Sequence, residues 1–259
     1  MVESADRVLR LLESFTHNER DVSLSDLAER VSLPKSSVHR LLTTLVAHGF
    51  VDRDPATRRY ALGIRLFELG SAAIRERGLH SVAQPAIEAL SKETGETCHL
   101  AVLSGIEAVY VYKVDGTSSV IMSSHVGGRA PVHATSIGKV LCAWAGDDLL
   151  AEVKAHPMKA FTSNTISNYK AFTAELDKVR TVGYALDLEE FEDGLRCIAA
   201  PVRDQTDRVI AALGIAGPRQ RLDEAELKRR VPVVVTAAEG LSRSLGYVEG
   251  HAPRYRTAS

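Results

Sequence analysis

Six polar side chains between positions 35 and 43 carry ammonium, hydroxyl, imidazole and guanidinium groups at the spacing of one helical face. Between them, Val38, Leu41, Leu42 and Leu45 recur at helical spacing and predict the buried face of the same helix. Such polar groups on a helix can reach base edges and phosphates in the major groove of DNA. The predicted DNA contacts are Lys35, Ser36, Ser37, His39, Arg40 and Thr43. The alternative is a helical protein–protein module whose polar face is solvated.

Positive charge is concentrated in the same stretch of a chain that is nearly neutral overall. Residues 34–65 contain six basic and two acidic side chains, a net charge of +4, whereas the whole chain has a net charge of −1. Arg58 and Arg59 lie beside a turn-forming loop between two short predicted strands. Cations at such a hairpin neutralise phosphates next to the groove, which favours DNA as the partner.

The elements around these residues predict a winged helix-turn-helix over residues 1–63. An amphipathic helix over 4–16 is followed by a second helix with Ser23 or Ser25 as its N-cap. Pro34 precedes the polar helix, and Gly49 fits the position after its C-cap. Residues 64–81 then read as a single linker helix.

Residues 82–248 predict a second domain, and residues 249–259 a flexible tail. The runs 97–103, 108–114 and 119–126 have strand composition, as do 184–188, 195–202 and 209–217. Helical patterns of uneven length separate them, which favours an α+β fold with an antiparallel sheet. The second domain also contains a helix beginning at about Thr135.

Composition narrows the class of protein. The chain has 259 residues, 45% hydrophobic and 25% charged, which is typical of a globular protein. Its three cysteines are far apart and form no CxxC pair, so we expect neither a metal site nor a disulfide framework, and no cofactor. No run is apolar enough to span a membrane, and the N-terminus is not a signal peptide. A cytoplasmic protein is therefore expected.

Catalytic motifs are not evident in the sequence. The stretch around SIGKV departs from a phosphate-binding loop at two positions, His133 and Val140. Cys98 and His99 are neighbours in a predicted strand, so their side chains point to opposite faces. The acidic run from Asp187 to Asp193 lacks the order of a calcium loop. We predict no catalytic residues; a small-molecule-binding enzyme with an accessory DNA-binding domain is the alternative.

Two pairs of motifs resemble the IclR family of bacterial transcriptional regulators. They are ADRVLRLLESF with LSDLAERVSLPKSSVHRLLTTLVAHGFV, and GGRAPVHATSIGKVLCAW with GYALDLEEFEDGLRCIAAPV. The resemblance runs from about residue 3 to 245. It implies a C-terminal effector-binding domain with a GAF-like sheet, in a protein that acts as a homodimer or dimer of dimers. It further implies control of a catabolic operon, more often by repression, through a small organic acid.

The predicted effector site combines a residue argument with this resemblance. A helix N-terminus near Thr135 presents amides and a favourable dipole to a carboxylate. Residues that match the family's pocket are Met122, Ser136, Ile137, Asp187, Leu195, Cys197, Gly214 and Ala216. The resemblance implies that Ser136 and Ile137 hold the carboxylate, and that Asp187 accepts a hydrogen bond from a ligand hydroxyl, amine or hydrazide-like NH.

Each of these residues could instead have a purely structural role. Met122, Ile137 and Leu195 are residue types that usually form core, Cys197 is a small buried hydrophobe in many strands, and Asp187 could cap a turn. His133 is a second choice for the site. Family members tuned to the smallest keto acids carry serines in place of Gly214 and Ala216. The departure favours a larger, partly apolar effector, such as an aromatic acid or its amide or hydrazide.

Overall fold

The computed structural model describes residues 2–15, 21–76, 79–117 and 124–248. The chain divides into two compact units, Met1–Arg77 and Gly78–Ser259. Met122, most of the strand predicted over 119–126 and the predicted tail 249–259 lie outside the described residues. Among those that are described, no helix is long and apolar enough to cross a membrane.

The first unit contains helices around a β-hairpin. Its elements are α1 (Glu3–Glu13), α2 (Leu24–Val31), α3 (Lys35–Ala47), β1 (Val51–Arg53), β2 (Tyr60–Leu62) and α4 (Ile64–Glu76). Of the two serines predicted to cap α2, Ser23 does so, because its hydroxyl accepts the Asp26 amide at 3.2 Å. Ser32 then adopts a left-handed conformation with φ 54° and ends α2. The chain turns there into α3.

The core of the first unit joins the helices to the hairpin. Strands β1 and β2 pair antiparallel, and Val22 forms a further bridge to Tyr60. The fully or almost fully buried side chains include Leu11, Leu27, Val38, Leu42, Val51 and Tyr60. The predicted sequence of helices and hairpin is confirmed. The linker prediction over 64–81 falls on α4, on residues 77 and 78, which are not described, and on the start of the next helix.

The second unit is built on an antiparallel sheet. Its elements are α5 (Leu79–Thr94), β3 (Thr97–Ser104), β4 (Glu107–Val114), β5 (Arg129–Pro131), α6 (Ser136–Ala143), α7 (Asp147–Ala155), α8 (Tyr169–Val182), β6 (Ala185–Leu188), β7 (Leu195–Arg203), β8 (Val209–Pro218) and α9 (Glu224–Ser244). In the described residues the strand order is β5-β4-β3-β8-β7-β6, and all neighbours are antiparallel. The predicted α+β class is confirmed.

The two faces of this sheet carry different side chains. One face packs Leu100, Ile198 and Leu213 against α5 and α9. On the other, small residues such as Ala101, Ala199 and Ala212 pack toward α6 and α8. Alternation along each strand separates the two sets. Because the side chains on the second face are small, α6 can lie close to the strands, and a cavity is left beside its N-terminus.

Candidate functional site

The polar side chains predicted on α3 lie on its exposed side. Lys35, Ser36, His39, Arg40 and Thr43 are exposed, and Ser37 is half-buried. The buried side of the helix is formed by Val38, Leu42 and Leu45. The helical period predicted from the sequence is therefore correct, and the polar groups are accessible to a partner.

The basic residues of the first unit differ in how far they are engaged. Within the described part of the chain, Lys35 and Arg40 have no acidic partner. Arg58 is exposed in the hairpin turn with φ 58°. Arg59 is paired through its Nε with the Asp21 carboxylate and donates from Nη2 to the Asp21 carbonyl at 3.0 Å. The Asp21 carboxylate partly neutralises the charge that Arg59 can offer to a phosphate.

One cation near this surface was missed by the sequence reasoning. Arg53, at the end of β1, is exposed, and its guanidinium lies 5.7 Å from the centroid of the Tyr60 ring. The net charge of +4 over residues 34–65 already included Arg53, but its place in a short strand gave no indication of its direction.

In the second unit, a cavity of about 150 Å³ lies between the N-terminus of α6 and the sheet. A cavity of this size holds a molecule as large as benzene. Of the predicted effector residues, those that line the cavity are Ser136, Ile137, Asp187, Leu195, Cys197, Gly214 and Ala216. Met122 lies outside the described residues. The structure therefore brings seven predicted residues to one place from β6, β7, β8 and α6.

The N-terminus of α6 presents free amide donors to this cavity. The Thr135 hydroxyl caps the helix by accepting the Gly138 amide at 3.1 Å. Within the described residues, the amides of Ser136 and Ile137 have no hydrogen-bond partner. A side chain at position 138 would place its Cβ 2.3 Å from the Val132 Cα, so glycine is required there. The two amides and the helix dipole form a site for an anion.

A buried carboxyl group, Asp187, lines the cavity from β6. Asp187 is 1% exposed, and its Oδ1 accepts the Glu190 amide at 2.7 Å, so it caps a turn as well as lining the cavity. Lys139 Nζ donates to Glu190 Oε1 at 2.6 Å, with the lysine side chain 1% exposed. Burial, and then the nearby Glu190 carboxylate, raise the pKa of Asp187 to about 7, although Lys139 opposes this.

The pairing of the strands sets the floor of the cavity. Asp187 pairs with Cys197, which pairs with Ala216 on β8. Gly214, two residues earlier on β8, pairs with His99 of β3. A Cβ on Gly214 would lie 2.6 Å from the Ile198 carbonyl oxygen. Glycine at this position is therefore required by the close approach of β7, in addition to the space it leaves for a ligand.

Several polar residues of the cavity lining were not predicted as site residues. His99, Tyr110 and Ser124 line it from β3, from β4 and from the segment before β5. His99 is 2% exposed, its Nε2 lies 2.7 Å from Ser124 Oγ, and burial lowers its pKa to about 4. His133, the second choice, is absent from the lining, and its Nε2 bonds instead to the Lys159 carbonyl.

The chain matches two family descriptions. They are "IclR helix-turn-helix domain" over residues 4–55 and "Bacterial transcriptional regulator IclR C-terminal" over residues 71–243. The chain belongs to the IclR family of bacterial transcriptional regulators. Its N-terminal unit contains the DNA-binding module of that family, and its C-terminal unit the domain that binds small-molecule effectors.

The similar proteins of known role are regulators. The HTH-type transcriptional regulator XynR of Escherichia coli K12 is 39% identical over 95% of this chain and 98% of its own. The transcriptional repressor IclR of the same organism is 33% identical over 95% of this chain and 90% of its own. This IclR-family chain is thus a transcriptional regulator and not an enzyme, which removes the enzyme alternative.

A solved structure of similar fold contains a bound acid. It is an IclR homologue from Microbacterium hydrocarbonoxydans complexed with 4-hydroxybenzoate. It has a TM-score of 0.84 and 32% sequence identity, and it covers 94% of this chain and 99% of its own. The fold that encloses the cavity is thus shared with a protein that accommodates an aromatic hydroxy acid.

Proposed function

We propose that this IclR-family regulator represses a catabolic operon by binding double-stranded operator DNA in the cytoplasm, and that a small organic acid controls the binding. One observation carries the proposal: the unpartnered amides of Ser136 and Ile137 lie at a cavity in a chain whose other unit is a DNA-binding module. The relative named a transcriptional repressor favours repression over activation.

On the DNA side, α3 reads the major groove. Lys35, Ser36 and Ser37, at the start of the helix, position it on a phosphate, because amides and hydroxyls at a helix N-terminus bind anions. His39, Arg40 and Thr43 face the base edges. Arg58 and Arg59 grip the backbone from the hairpin, and Arg59 exchanges Asp21 for a phosphate when it does so.

On the effector side, the Ser136 and Ile137 amides bind the carboxylate. Asp187 accepts a hydrogen bond from a hydroxyl, amine or hydrazide-like NH of the ligand, while Leu195 and Cys197 supply apolar and polarisable contacts. Met122, Gly214 and Ala216 complete the proposed set of contacts. The 4-hydroxybenzoate bound by the Microbacterium homologue supports an aromatic acid or a close derivative as the effector.

A homodimer, alone or as a dimer of dimers, completes the proposal. Ile64 and Phe67 of α4 are 67% and 70% exposed, and Leu69 is 46% exposed. Exposed apolar side chains grouped on one element mark an interaction surface. A symmetric dimer would place two α3 helices on two half-sites of a palindromic operator.

Fluorescence anisotropy tests the proposal. The full chain is titrated onto the DNA upstream of its own gene and onto scrambled DNA, and a panel of aliphatic and aromatic acids is then added. We expect preference for the upstream DNA and its release by one class of acid. Equal affinity for both DNAs at every salt concentration would exclude the regulator function at that site. An acid that tightens DNA binding would exclude simple induction.

A further inference from the structure

The cavity has a second polar end that no proposed contact uses. Tyr110 and His99 flank it on β4 and β3, whereas Asp187 lies on β6. Between these strands, β8 and β7 contribute Gly214, Ala216 and Cys197, none of which carries a strong hydrogen-bonding group. A ligand that reaches from the α6 amides across this floor therefore meets hydrogen-bonding groups again at β3 and β4.

The Tyr110 hydroxyl is available to a ligand. It lines the cavity, and within the described residues it has no hydrogen-bond partner. Burial, with the nearby Cys197 and Asp187, raises the pKa of Tyr110 well above its ordinary value, so the hydroxyl keeps its proton. Tyr110 is half-buried, and its hydroxyl can pair with a ligand group that donates or accepts a hydrogen bond.

His99 and Ser124 extend the same polar end. The His99 ring lies 4.8 Å from the Tyr110 ring, centroid to centroid, and its Nε2 is 2.7 Å from Ser124 Oγ. Because burial keeps His99 uncharged, the ring supplies one donor and one acceptor. The three side chains together form an uncharged set of hydrogen-bonding groups.

The charges around this end argue against a second carboxylate on the ligand. Lys113, on β4, is paired with Asp115 at 2.8 Å. Arg129, on β5, is paired with Glu107 at 3.0 Å, and half of its side chain is exposed. Both cations are thus already engaged. Arg129 lines the cavity, but the Glu107 carboxylate already offsets its charge, so this end favours a neutral hydroxyl over a second carboxylate.

We infer that the effector is a hydroxy acid whose carboxylate binds the Ser136 and Ile137 amides and whose hydroxyl binds Tyr110 and the His99–Ser124 pair on the β3–β4 side of the cavity. This inference rests on the proposed function and adds to it the chemical class of the effector. It assigns Tyr110, His99 and Ser124 as the residues that discriminate a hydroxylated acid from its deoxy analogue.

Calorimetric titration of the full chain with matched acids tests the inference. The aromatic pair is benzoate and 4-hydroxybenzoate; the aliphatic set is hexanoate, 6-hydroxyhexanoate and gluconate. We expect a hydroxylated acid of at least one scaffold to bind tenfold or more tightly than its deoxy analogue. A site built to bind a hydroxyl leaves its own polar groups unpaired when the hydroxyl is missing.

Single variants then show which side chains cause the preference for the hydroxylated acid. Tyr110→Phe and Ser124→Ala should each lower the affinity for the hydroxylated acid about tenfold, the effect of one lost hydrogen bond, and leave the deoxy analogue almost unchanged. Tyr112→Phe is the matched control, because Tyr112 is on the same strand but packs against the opposite face of the sheet. This variant should keep the full preference.

The inference and the proposed function fail in different ways. Equal binding of an acid and its hydroxylated partner, or a preference that survives Tyr110→Phe, overturns the inference while acid-controlled DNA binding stands. Failure of all five acids to bind also overturns it. If DNA binding is specific but no acid in the wider panel changes it, the proposed effector control falls as well.

Discussion

The exposed side of α3 and the cavity beside α6 are assembled in opposite ways. The groups on α3 come from nine consecutive positions, and most of them are exposed. Those of the cavity come from several strands and a helix, and Asp187 and His99 are almost fully buried. Exposed polar groups can stay solvated, whereas buried ones must be satisfied within the fold. Substitutions on α3 should therefore change affinity alone, and substitutions around the cavity should change stability too.

The largest effect is expected from Lys139→Met. This change removes the partner of Glu190 Oε1, and Glu190 Oε2 already has no hydrogen-bond partner in the described residues. Breaking a buried ion pair leaves an uncompensated charge, which lowers the free energy of unfolding by about 3–5 kcal/mol. Urea unfolding followed by the fluorescence of Trp144, the single tryptophan of the chain, measures it within the second unit.

Two controls separate the buried charge from the loss of a lysine. Lys228→Met removes an exposed pair with Glu224, whose side chains are 76% and 85% exposed, and should cost less than about 1 kcal/mol. Lys139→Met combined with Glu190→Gln removes both charges and should recover part of the lost stability. Equal effects of the two single lysine variants would show that the buried pair does not matter to the fold.

The same contrast explains how much could be predicted from the sequence. The face of α3 follows from the period of one helix, so its residues were found without any knowledge of tertiary structure. His99 became a cavity residue only because β3 pairs with β8, more than a hundred residues later, and this places His99 beside Gly214. The pattern of a single strand does not specify such a neighbour.

Family resemblance identified part of the cavity but not its electrostatics. Asp187 and Cys197 were assigned to the site by their match to a motif, and the structure places both in the lining. Lys139 was not singled out, although a lysine in an otherwise apolar helix is a signal of a buried partner. Its partner, Glu190, belongs to the acidic run from Asp187 to Asp193, and its burial could be known only from the fold.

A second prediction concerns the pH dependence of stability. Asp187, with its pKa raised to about 7, retains in the folded state a proton that the unfolded chain loses, so its contribution to stability declines as pH rises from about 4 to 7. His99, with its pKa lowered to about 4, contributes stability that is lost as pH falls from 6.5 toward 4. The two contributions oppose each other in the wild-type chain.

Asp187→Asn removes the Asp187 contribution and should leave the opposing contribution of His99. The stability of the variant relative to wild type should increase with pH between about 4 and 7, by at most about 1.4 kcal/mol per pH unit. Urea unfolding at pH 4.5, 5.5, 6.5 and 7.5 measures the difference. Asp54→Asn is the control: turn amides lower the pKa of Asp54, so it titrates below this range and its difference should be flat. A flat difference for Asp187→Asn would contradict the raised pKa.

A third prediction separates the two regions by function. Arg40→Ala should weaken DNA binding by about 1–3 kcal/mol, about 5- to 150-fold, without changing stability or effector affinity, because Arg40 is exposed and its loss leaves no buried group unpaired. Asp187→Ala should weaken effector binding and leave DNA affinity intact. Anisotropy at moderate salt and calorimetry measure the two affinities.

The control is Arg229→Ala, which removes an exposed arginine of the second unit. Unchanged DNA affinity in Arg40→Ala would show that α3 does not face the groove.

The smallest effect should distinguish two adjacent arginines of the hairpin. Arg58→Ala should reduce the slope of log affinity against log salt by about 0.9, the value for one phosphate contact, with no change in stability. Arg59→Ala should weaken DNA binding less, because Asp21 already offsets part of the Arg59 charge, and it should lower the free energy of unfolding by about 0–1 kcal/mol. Asp21→Asn removes the carboxylate charge beside Arg59 and should tighten DNA binding only while Arg59 is present. If Asp21→Asn tightens binding equally in the Arg59→Ala background, the gain comes from removing a negative charge near DNA, and Arg59 is then a structural residue of the hairpin.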